Sequence, residues 1–257
     1  MSFDHLAFAP YRALIHELAL ASALPSLDAL NALAAARGTT QAHGLPLRFI
    51  APDGRLSARE YETHILQTGQ VPIRPDTWHD VLNALVWLRF PHFKSALNVA
   101  HGEAIAIETN SRRGRRRDAM TVLDESGVWV LSQDPVLSSL LTERAWQPLF
   151  WDHRQAVEST MSFVVVGHAL LEKALAPYPS ITGKCLTLIS PTLDPDSVEQ
   201  QAVSALHTIE SPRRLAPLPI QGIPGWDAAN ASAAYYANQE IFRPARGKPF
   251  IRARKPA

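Results

Sequence analysis

The segment from Asp76 to Leu88 carries the most distinctive pattern of hydrophobic and polar positions along the chain. After its first two residues, every position is apolar except His79, Asp80 and Asn83. A helix that is apolar on nearly all sides belongs in a protein core. Asn83 lies four positions after His79 and three after Asp80, so the three side chains form one stripe, and leaving such a group unpaired costs about 1–3 kcal/mol. The pattern therefore predicts that side chains, ordered water, a metal or a substrate lies opposite this stripe.

A second strongly apolar segment runs from Ser162 to Leu175 and is predicted as a helix, although its β-branched run at 164–166 also suits a strand. Within it, His168 and Glu172 lie four residues apart and therefore on one face. If this helix packs against the first one, its two polar side chains meet those around His79. The sequence thus predicts one shared polar space between two apolar helices.

Similar patterns predict the other elements. Helices are expected over residues 10–36 with a break at Pro25, over 57–67, from Pro91 onward, from Pro135 to about Arg144, and over 196–207. Strands are expected at 45–50, with a turn at 52–54 leading to a partner strand, and at 184–189. Residues from Pro212 onward are expected to be extended and irregular, with Trp226 as their anchor. The predicted class is α+β, mainly helical with a small antiparallel sheet or hairpins, in one domain over residues 1–243.

A hairpin is predicted where two apolar runs, 119–123 and 128–131, flank a loop that contains glycine. In a strand at ~3.3 Å per residue, Asp118 and Asp124 would be roughly 20 Å apart, too far to share one ion. This geometry assigns Asp124 and Glu125 to the turn. It leaves Asp118 as the better site candidate, or as an ion-pair partner of the neighbouring arginine.

Composition narrows the functional classes. The 257 residues are 46% hydrophobic, carry a net charge of +1 and contain one cysteine, Cys185. One cysteine excludes an internal disulfide and a multi-thiolate zinc site, and a buried, unreactive thiol is the favoured interpretation. The N-terminus lacks the basic region of a signal peptide, and no apolar run reaches the ~20 residues of a membrane span. A cytoplasmic protein without a membrane segment is expected.

Local charge is less even than the total. Five arginines surround Gly114, at positions 112, 113, 115, 116 and 117. They could hold phosphates and contact nucleic acid or an acidic partner, or form a solvated surface segment. The near-neutral net charge favours a small anion over nucleic acid, since it provides no wide basic face. The tail over 244–257 is basic, contains prolines and is expected to be loose.

Several motifs resemble a bacterial family called domain of unknown function 3025. They are found at residues 79–87, 90–91, 94–98, 117–125, 163–172, 177–184, 217–226 and 241–244. The resemblance covers most of the chain from about Leu45 to Pro244. It implies a bacterial source and carries no known activity.

The leading hypothesis from the residues is an enzyme, in particular a hydrolase acting on a phosphorylated or anionic substrate. The catalytic candidates are His79, Asp80, Asn83, His168, Glu172 and Asp118. The substrate-binding candidates are Arg117, Arg115, Lys94 and Asn98, and a divalent metal would be held by His79, His168 and Glu172.

Two alternatives stay open at this point. The histidines and carboxylates could form an acid-base or ligand site without metal, or a purely structural hydrogen-bond network. In the structural case the protein would be a non-catalytic binding protein whose arginines contact nucleic acid or an acidic partner. An open cleft would favour the enzyme, and a sealed network the binding protein.

Overall fold

The computed structural model describes residues 2–109 and 113–245. Its α-helices are α1 (Arg12–Glu17), α2 (Leu27–Ala36), α3 (Ala58–Thr68), α4 (Trp78–Arg89), α5 (Pro91–Ile107), α6 (Arg115–Ser126), α7 (Pro135–Thr142), α8 (Arg154–Thr160), α9 (His168–Ala174) and α10 (Pro195–Ala205). Its strands are β1 (Arg48–Ile50), β2 (Gln70–Pro72), β3 (Gly127–Ser132), β4 (Met161–Val165), β5 (Thr182–Ile189) and β6 (Ala216–Pro219). The predicted α+β class, mainly helical with small sheets, is confirmed.

The main sheet has the strand order β4-β3-β5-β6. Strand β3 pairs antiparallel with β4 but parallel with β5, which in turn pairs antiparallel with β6. The expectation of an antiparallel sheet therefore holds for two of these three pairings. Strand β3 is buried along its whole length, as expected for a central strand covered on both faces.

The predicted partner for the first strand was wrong. Strand β1 pairs in parallel with β2, which lies beyond helix α3. Parallel neighbours require a crossover connection, and α3 supplies it, so the turn at 52–54 does not close a hairpin. The capping-box prediction for α3 is confirmed, because Ser57 and Glu60 bond reciprocally at its start.

The hairpin over residues 119–131 was also wrong. Residues 115–126 form helix α6, and its buried face consists of Arg117, Ala119, Met120 and Leu123. The spacing of the three apolar positions fits a helix as well as a strand, and tertiary packing decides for the helix. The rough 20 Å separation that set Asp124 apart from any site therefore does not apply.

The second predicted helix divides into two elements. Its first residues form β4, whose β-branched run pairs with the central strand, and helix α9 begins only at His168. The apolar pattern of these residues suits a helix as well as a strand. Pairing with β3 at the edge of the main sheet favours the strand. Helix α9 still packs against α4, as predicted.

The predictions for the two ends of the chain had different outcomes. The N-terminal helical prediction is realised as a 3₁₀ helix at Leu6–Tyr11 followed by α1 and α2, which are separated around Pro25. The C-terminal segment contains β6, which was expected to be irregular. It is anchored by Tyr236 and Phe242, both fully buried, whereas Trp226 is only half-buried.

Candidate functional site

Two helix starts bring the predicted histidines together. His79 lies in the first turn of α4, which is capped by the Thr77 side chain, and His168 is the first residue of α9. Their Nε2 atoms are 3.1 Å apart, and the rings meet edge to face. The prediction that both histidines share one space is confirmed.

The other nitrogen of each imidazole faces a carboxylate. His79 Nδ1 lies 2.8 Å from Glu172 Oε2, which is hydrogen-bond distance. His168 Nδ1 lies 3.7 Å from Asp124 Oδ2, and within the described residues this buried nitrogen has no hydrogen-bond partner. Each ring thus presents Nε2 to the other ring and Nδ1 to an acid.

Glu125 is the carboxylate that lies beside the paired Nε2 atoms. Its Oε2 is 3.9 Å from His168 Nε2, and donor atoms of Glu125, His79 and His168 all lie within 4.8 Å of one another. The predicted hairpin placed Glu125 and Asp124 in a turn, so neither was predicted as a site residue. A helix over residues 115–126 that ends beside His168 would have added both to the candidates.

Two glycines make this close approach achievable. A Cβ on Gly167 would lie 2.4 Å from the backbone nitrogen of Gly127, and one on Gly127 would lie 2.3 Å from the carbonyl oxygen of Leu123. Both distances are too short for any side chain. The start of α9 can therefore contact the end of α6 only because Gly167 has no side chain, and Gly127 can follow the last turn of α6 only because it is glycine as well.

A buried network continues inward from the histidines. Lys94 Nζ donates to Asn83 Oδ1 at 2.8 Å and also contacts the Asp124 carboxylate. Asn83 Nδ2 donates in turn to the Tyr61 hydroxyl at 3.1 Å. Burial alone would raise the pKa of Asp124, but the Lys94 ammonium and the other groups around it hold that pKa below its usual value.

Asn98 belongs to a second buried cluster beside this network. Its Nδ2 donates to the backbone oxygen of Glu62 at 2.9 Å and to Glu62 Oε2 at 2.8 Å. Burial, helped by the charge of Asp124, raises the pKa of Glu62 to about 7. Burial also lowers the pKa of His101, whose Nε2 lies 3.9 Å from Glu62 Oε1, to about 4.

Burial likewise lowers the pKa of His168 to about 4, although the Asp124 carboxylate opposes the shift. The His168 imidazole is therefore neutral near pH 7, which is the form that can ligate a metal or accept a proton. Burial and the charge of Asp124 raise the pKa of Glu125. The two neighbouring carboxyl groups thus have pKa values shifted in opposite directions, and Lys94 compensates the charge of Asp124.

Exposure changes sharply across the site. The side chains of His79, Glu172 and Glu125 are 35%, 43% and 42% exposed, whereas those of His168 and Lys94 are 6% and 4% exposed. The outer half is open to solvent and the inner half is sealed. The site therefore has both an accessible part, as expected for an enzyme, and a sealed network, as expected for a binding protein.

The other predicted site residues lie in separate contacts. Asp80 pairs with Arg74 at 2.9 Å, Asp118 with Arg113 at 3.0 Å, and Arg117 with Glu108 at 3.1 Å. Arg115 is exposed in the first turn of α6.

Two predictions about charged segments reach beyond the described part of the chain. Arg112 lies outside it, as do residues 246–257 of the predicted basic tail. Arg116 pairs with Glu103 at 3.3 Å, so with Arg113 and Arg117 three of the described arginines near Gly114 already have carboxylate partners. These partners reduce the charge available for phosphates.

Comparison with known proteins identifies a family for most of the chain. A family model described as protein of unknown function (DUF3025) matches residues 47–246. No curated protein and no solved structure matches the chain. Among the described helices, none has the length and apolar character needed to cross a membrane.

Proposed function

Because the chain belongs to the DUF3025 family of unknown function, its activity must be inferred from the site, and we propose that the protein is a metal-dependent hydrolase. The ion would be held by His79, His168 and Glu125. This set differs from the one expected from the sequence, in which Glu172 was the third ligand. Glu172 instead bonds the far nitrogen of His79.

The observation that carries the proposal is the 3.1 Å separation of the two Nε2 atoms. Two nitrogens that each lie ~2.0–2.1 Å from a zinc ion are about 3.3 Å apart in tetrahedral geometry. The distance between the two nitrogens therefore already suits two ligands of one ion. Two imidazoles and one carboxylate are a donor set that suits zinc, iron or manganese.

The surrounding carboxylates support the same interpretation. Histidines that ligate metals usually present their second nitrogen to a carboxylate, which orients the ring and raises its basicity. Glu172 has this relation to His79, and Asp124 lies near the second nitrogen of His168, at 3.7 Å and beyond hydrogen-bond distance. Lys94 and Asn83 then position Asp124 from inside the fold.

The exposure of the outer half supports catalysis over a purely structural metal. Three protein ligands leave a coordination position open, as in hydrolytic zinc sites. A bound ion would lower the pKa of a water in that position toward about 7 and so generate a nucleophile. Glu172, which is reachable from solvent, would orient His79 through the far nitrogen of the ring.

Metal content of the purified protein tests the first part of the proposal. We expect about one equivalent of a divalent metal by elemental analysis, with His79→Ala and Glu125→Gln losing most of it. Glu172→Gln should weaken binding by roughly 10–100-fold, as is typical for a residue that orients a ligand. His207→Ala, which removes an exposed histidine elsewhere, is the matched control and should retain the metal.

Hydrolysis of chromogenic carboxyl and phosphate esters, before and after chelation, tests the second part. Activity that is lost on chelation and restored by zinc, manganese or iron is the expected result. A protein that binds no metal even after incubation with these ions would refute the metal site. A metal-loaded protein that hydrolyses none of the esters would count against the hydrolase and leave metal binding intact.

A further inference from the structure

A second cleft, whose lining does not include the histidines, carries mainly basic side chains. It is lined by Arg144 after α7, Lys184 on β5 and Arg243 near the C-terminal end of the described chain. We propose that this basic cleft binds a phosphate-bearing small molecule. The inference rests on residues that take no part in the proposed metal site.

The size of the basic cleft fits a small organic ligand. Its volume is about 500 Å³, within the range of roughly 300–1,000 Å³ typical of such sites. Buried Trp146 and Pro219 contribute apolar surface, and the exposed side chains of Ser180 and Thr182 add hydroxyl groups. A ligand could therefore bury an apolar part while polar groups bind its charged end.

The charge of the cleft is unbalanced. Of the described residues that line it, one is a carboxylate, Glu240, and three are cationic. Among residues 2–109 and 113–245, none of these three cations forms an ion pair, whereas Arg74, Arg113 and Arg117 each do. Glu240 contacts Arg243 through its backbone oxygen and not its carboxylate: this oxygen accepts a hydrogen bond from Arg243 Nε at 3.0 Å. Unpaired cations that line one concavity raise the local concentration of anions.

Backbone contacts hold two of the cations in place. Trp146 Nε1 donates to the carbonyl oxygen of Arg243 at 3.0 Å, which fixes that backbone against the cleft. Arg144 has a φ of +56°, a value that side-chain-bearing residues rarely adopt. Its amide donates to Leu141 O at 3.0 Å, and this bond ends α7 at the cleft. Lys184 is set by its register opposite Pro217 in the sheet.

Phosphate suits this arrangement better than a carboxylate. A phosphate monoester carries about −1.5 to −2 charges and three acceptor oxygens, so it can engage several cations at once. Guanidinium groups bind phosphate in bidentate geometry, and two of the three cations are arginines. A net charge of +1 for the whole chain favours a confined ligand over a duplex, which needs a wide basic face.

Calorimetric titration of the full chain with inorganic pyrophosphate and with a phosphorylated sugar tests the proposal. We expect saturable binding that weakens as salt rises from ~50 to ~200 mM. The double variant Arg144→Ala/Lys184→Ala should bind at least about tenfold more weakly, because two charge-assisted contacts are lost. Lys184→Arg should retain binding. Arg55→Ala, which removes an exposed arginine from the loop before α3, is the control and should behave like the wild type.

Further arms separate the sources of phosphate. A short single-stranded DNA and vesicles containing a phosphoinositide are titrated in parallel. Binding of DNA or vesicles that depends on Arg144 and Lys184, without binding of the small phosphates, would overturn the small-ligand proposal. So would small-phosphate binding that the double variant leaves unchanged, or its absence at ~50 mM salt. Thermal unfolding of each variant identifies any loss of binding that reflects misfolding.

Discussion

At the scale of single residues, the two histidines of the site differ in what their removal leaves behind. His79 is partly exposed, and its helix neighbours Asp80 and Asn83 bond elsewhere, to Arg74 and to Lys94 with Tyr61. His168 is buried next to Asp124 and packs between α6 and α4. The two side chains therefore contribute unequally to stability although they lie in contact.

This difference predicts unequal losses of stability for two alanine variants of the metal-free protein. His79→Ala should lower the free energy of unfolding by about 1 kcal/mol, because it leaves His168 Nε2 without its ring partner but removes a partly exposed side chain, so that water can reach this nitrogen. His168→Ala should cost about 2–4 kcal/mol, since it removes a buried ring and leaves a cavity. Urea denaturation in the presence of a chelator measures both. Equal losses, or a larger loss for His79→Ala, would contradict the division into an open and a sealed half.

Glu62 provides a pH-dependent test in the sealed half. Its pKa is raised from 4.5 to about 7 in the folded protein, so the folded state binds more protons than the unfolded state between these values. Its contribution to stability is then fully present below pH ~4.5 and is lost as the pH rises through ~7. The change amounts to roughly 3 kcal/mol by the usual 1.36 kcal/mol per pKa unit.

Glu62→Gln should remove this dependence. Relative to the wild type, the variant should gain stability as the pH rises from 5 to 8, because the amide stays neutral while the carboxyl group must ionise. The opposite dependence from His101, whose pKa is lowered by burial, is common to both proteins and cancels to first order in the comparison. Denaturation curves at several pH values give the difference directly. A difference that does not change with pH would refute the raised pKa.

At the scale of elements, the site depends on the contact between the end of α6 and the start of α9. Gly167 N donates to Gly127 O at 3.0 Å, and neither residue leaves space for a Cβ. This contact places Asp124 and Glu125, in the last turn of α6, beside His168. The two glycines therefore matter for the site although neither carries a side chain.

Gly167→Ala should disturb both stability and metal binding. The new Cβ would meet backbone atoms of Gly127 and Ser126 at 2.4–2.6 Å, and backbone cannot shift as a flexible side chain can. We expect a loss of at least about 2 kcal/mol in unfolding free energy, as for severe overpacking, together with reduced metal content.

Gly114→Ala is the matched control for this variant. Within the part of the chain that the structure describes, a Cβ there would have its nearest contact at 3.5 Å, an ordinary distance, so little change is expected. Both variants are compared by urea denaturation and elemental analysis. A Gly167→Ala protein as stable as the wild type would show that α6 and α9 do not need this close approach.

At the scale of the whole molecule, the segment that precedes the family match is part of the fold. Tyr11 donates its hydroxyl to Val165 O at 2.7 Å, and Arg89 Nε donates to Pro10 O at 2.8 Å. Buried apolar residues from Ala7 to Phe242 form one continuous cluster. We infer from this cluster that residues 1–243 fold as the single domain that the sequence predicts.

Much of the local structure follows from the sequence alone, because it depends on neighbours along the chain. The apolar pattern and its flanking signals predicted α4 and the start of α5 at Pro91, and the Ser57 capping box predicted α3. The shared position of His79 and His168 was also predictable, since two buried polar stripes need common partners. The burial of Cys185 followed from its place in an apolar strand.

The remaining features depend on which segments pair across the fold. Residues 115–126 and 161–165 each carry a pattern that suits both helix and strand, and only the place of β3 at the centre of the sheet decides between them. Because residues 115–126 form a helix, Asp124 and Glu125 lie beside His168 and not in a turn, and Arg117 pairs with Glu108. Spacing along the chain determines which residues share a face of one element. The carboxylate that lies beside His79 and His168 is determined by contacts between elements far apart in sequence, which periodicity does not encode.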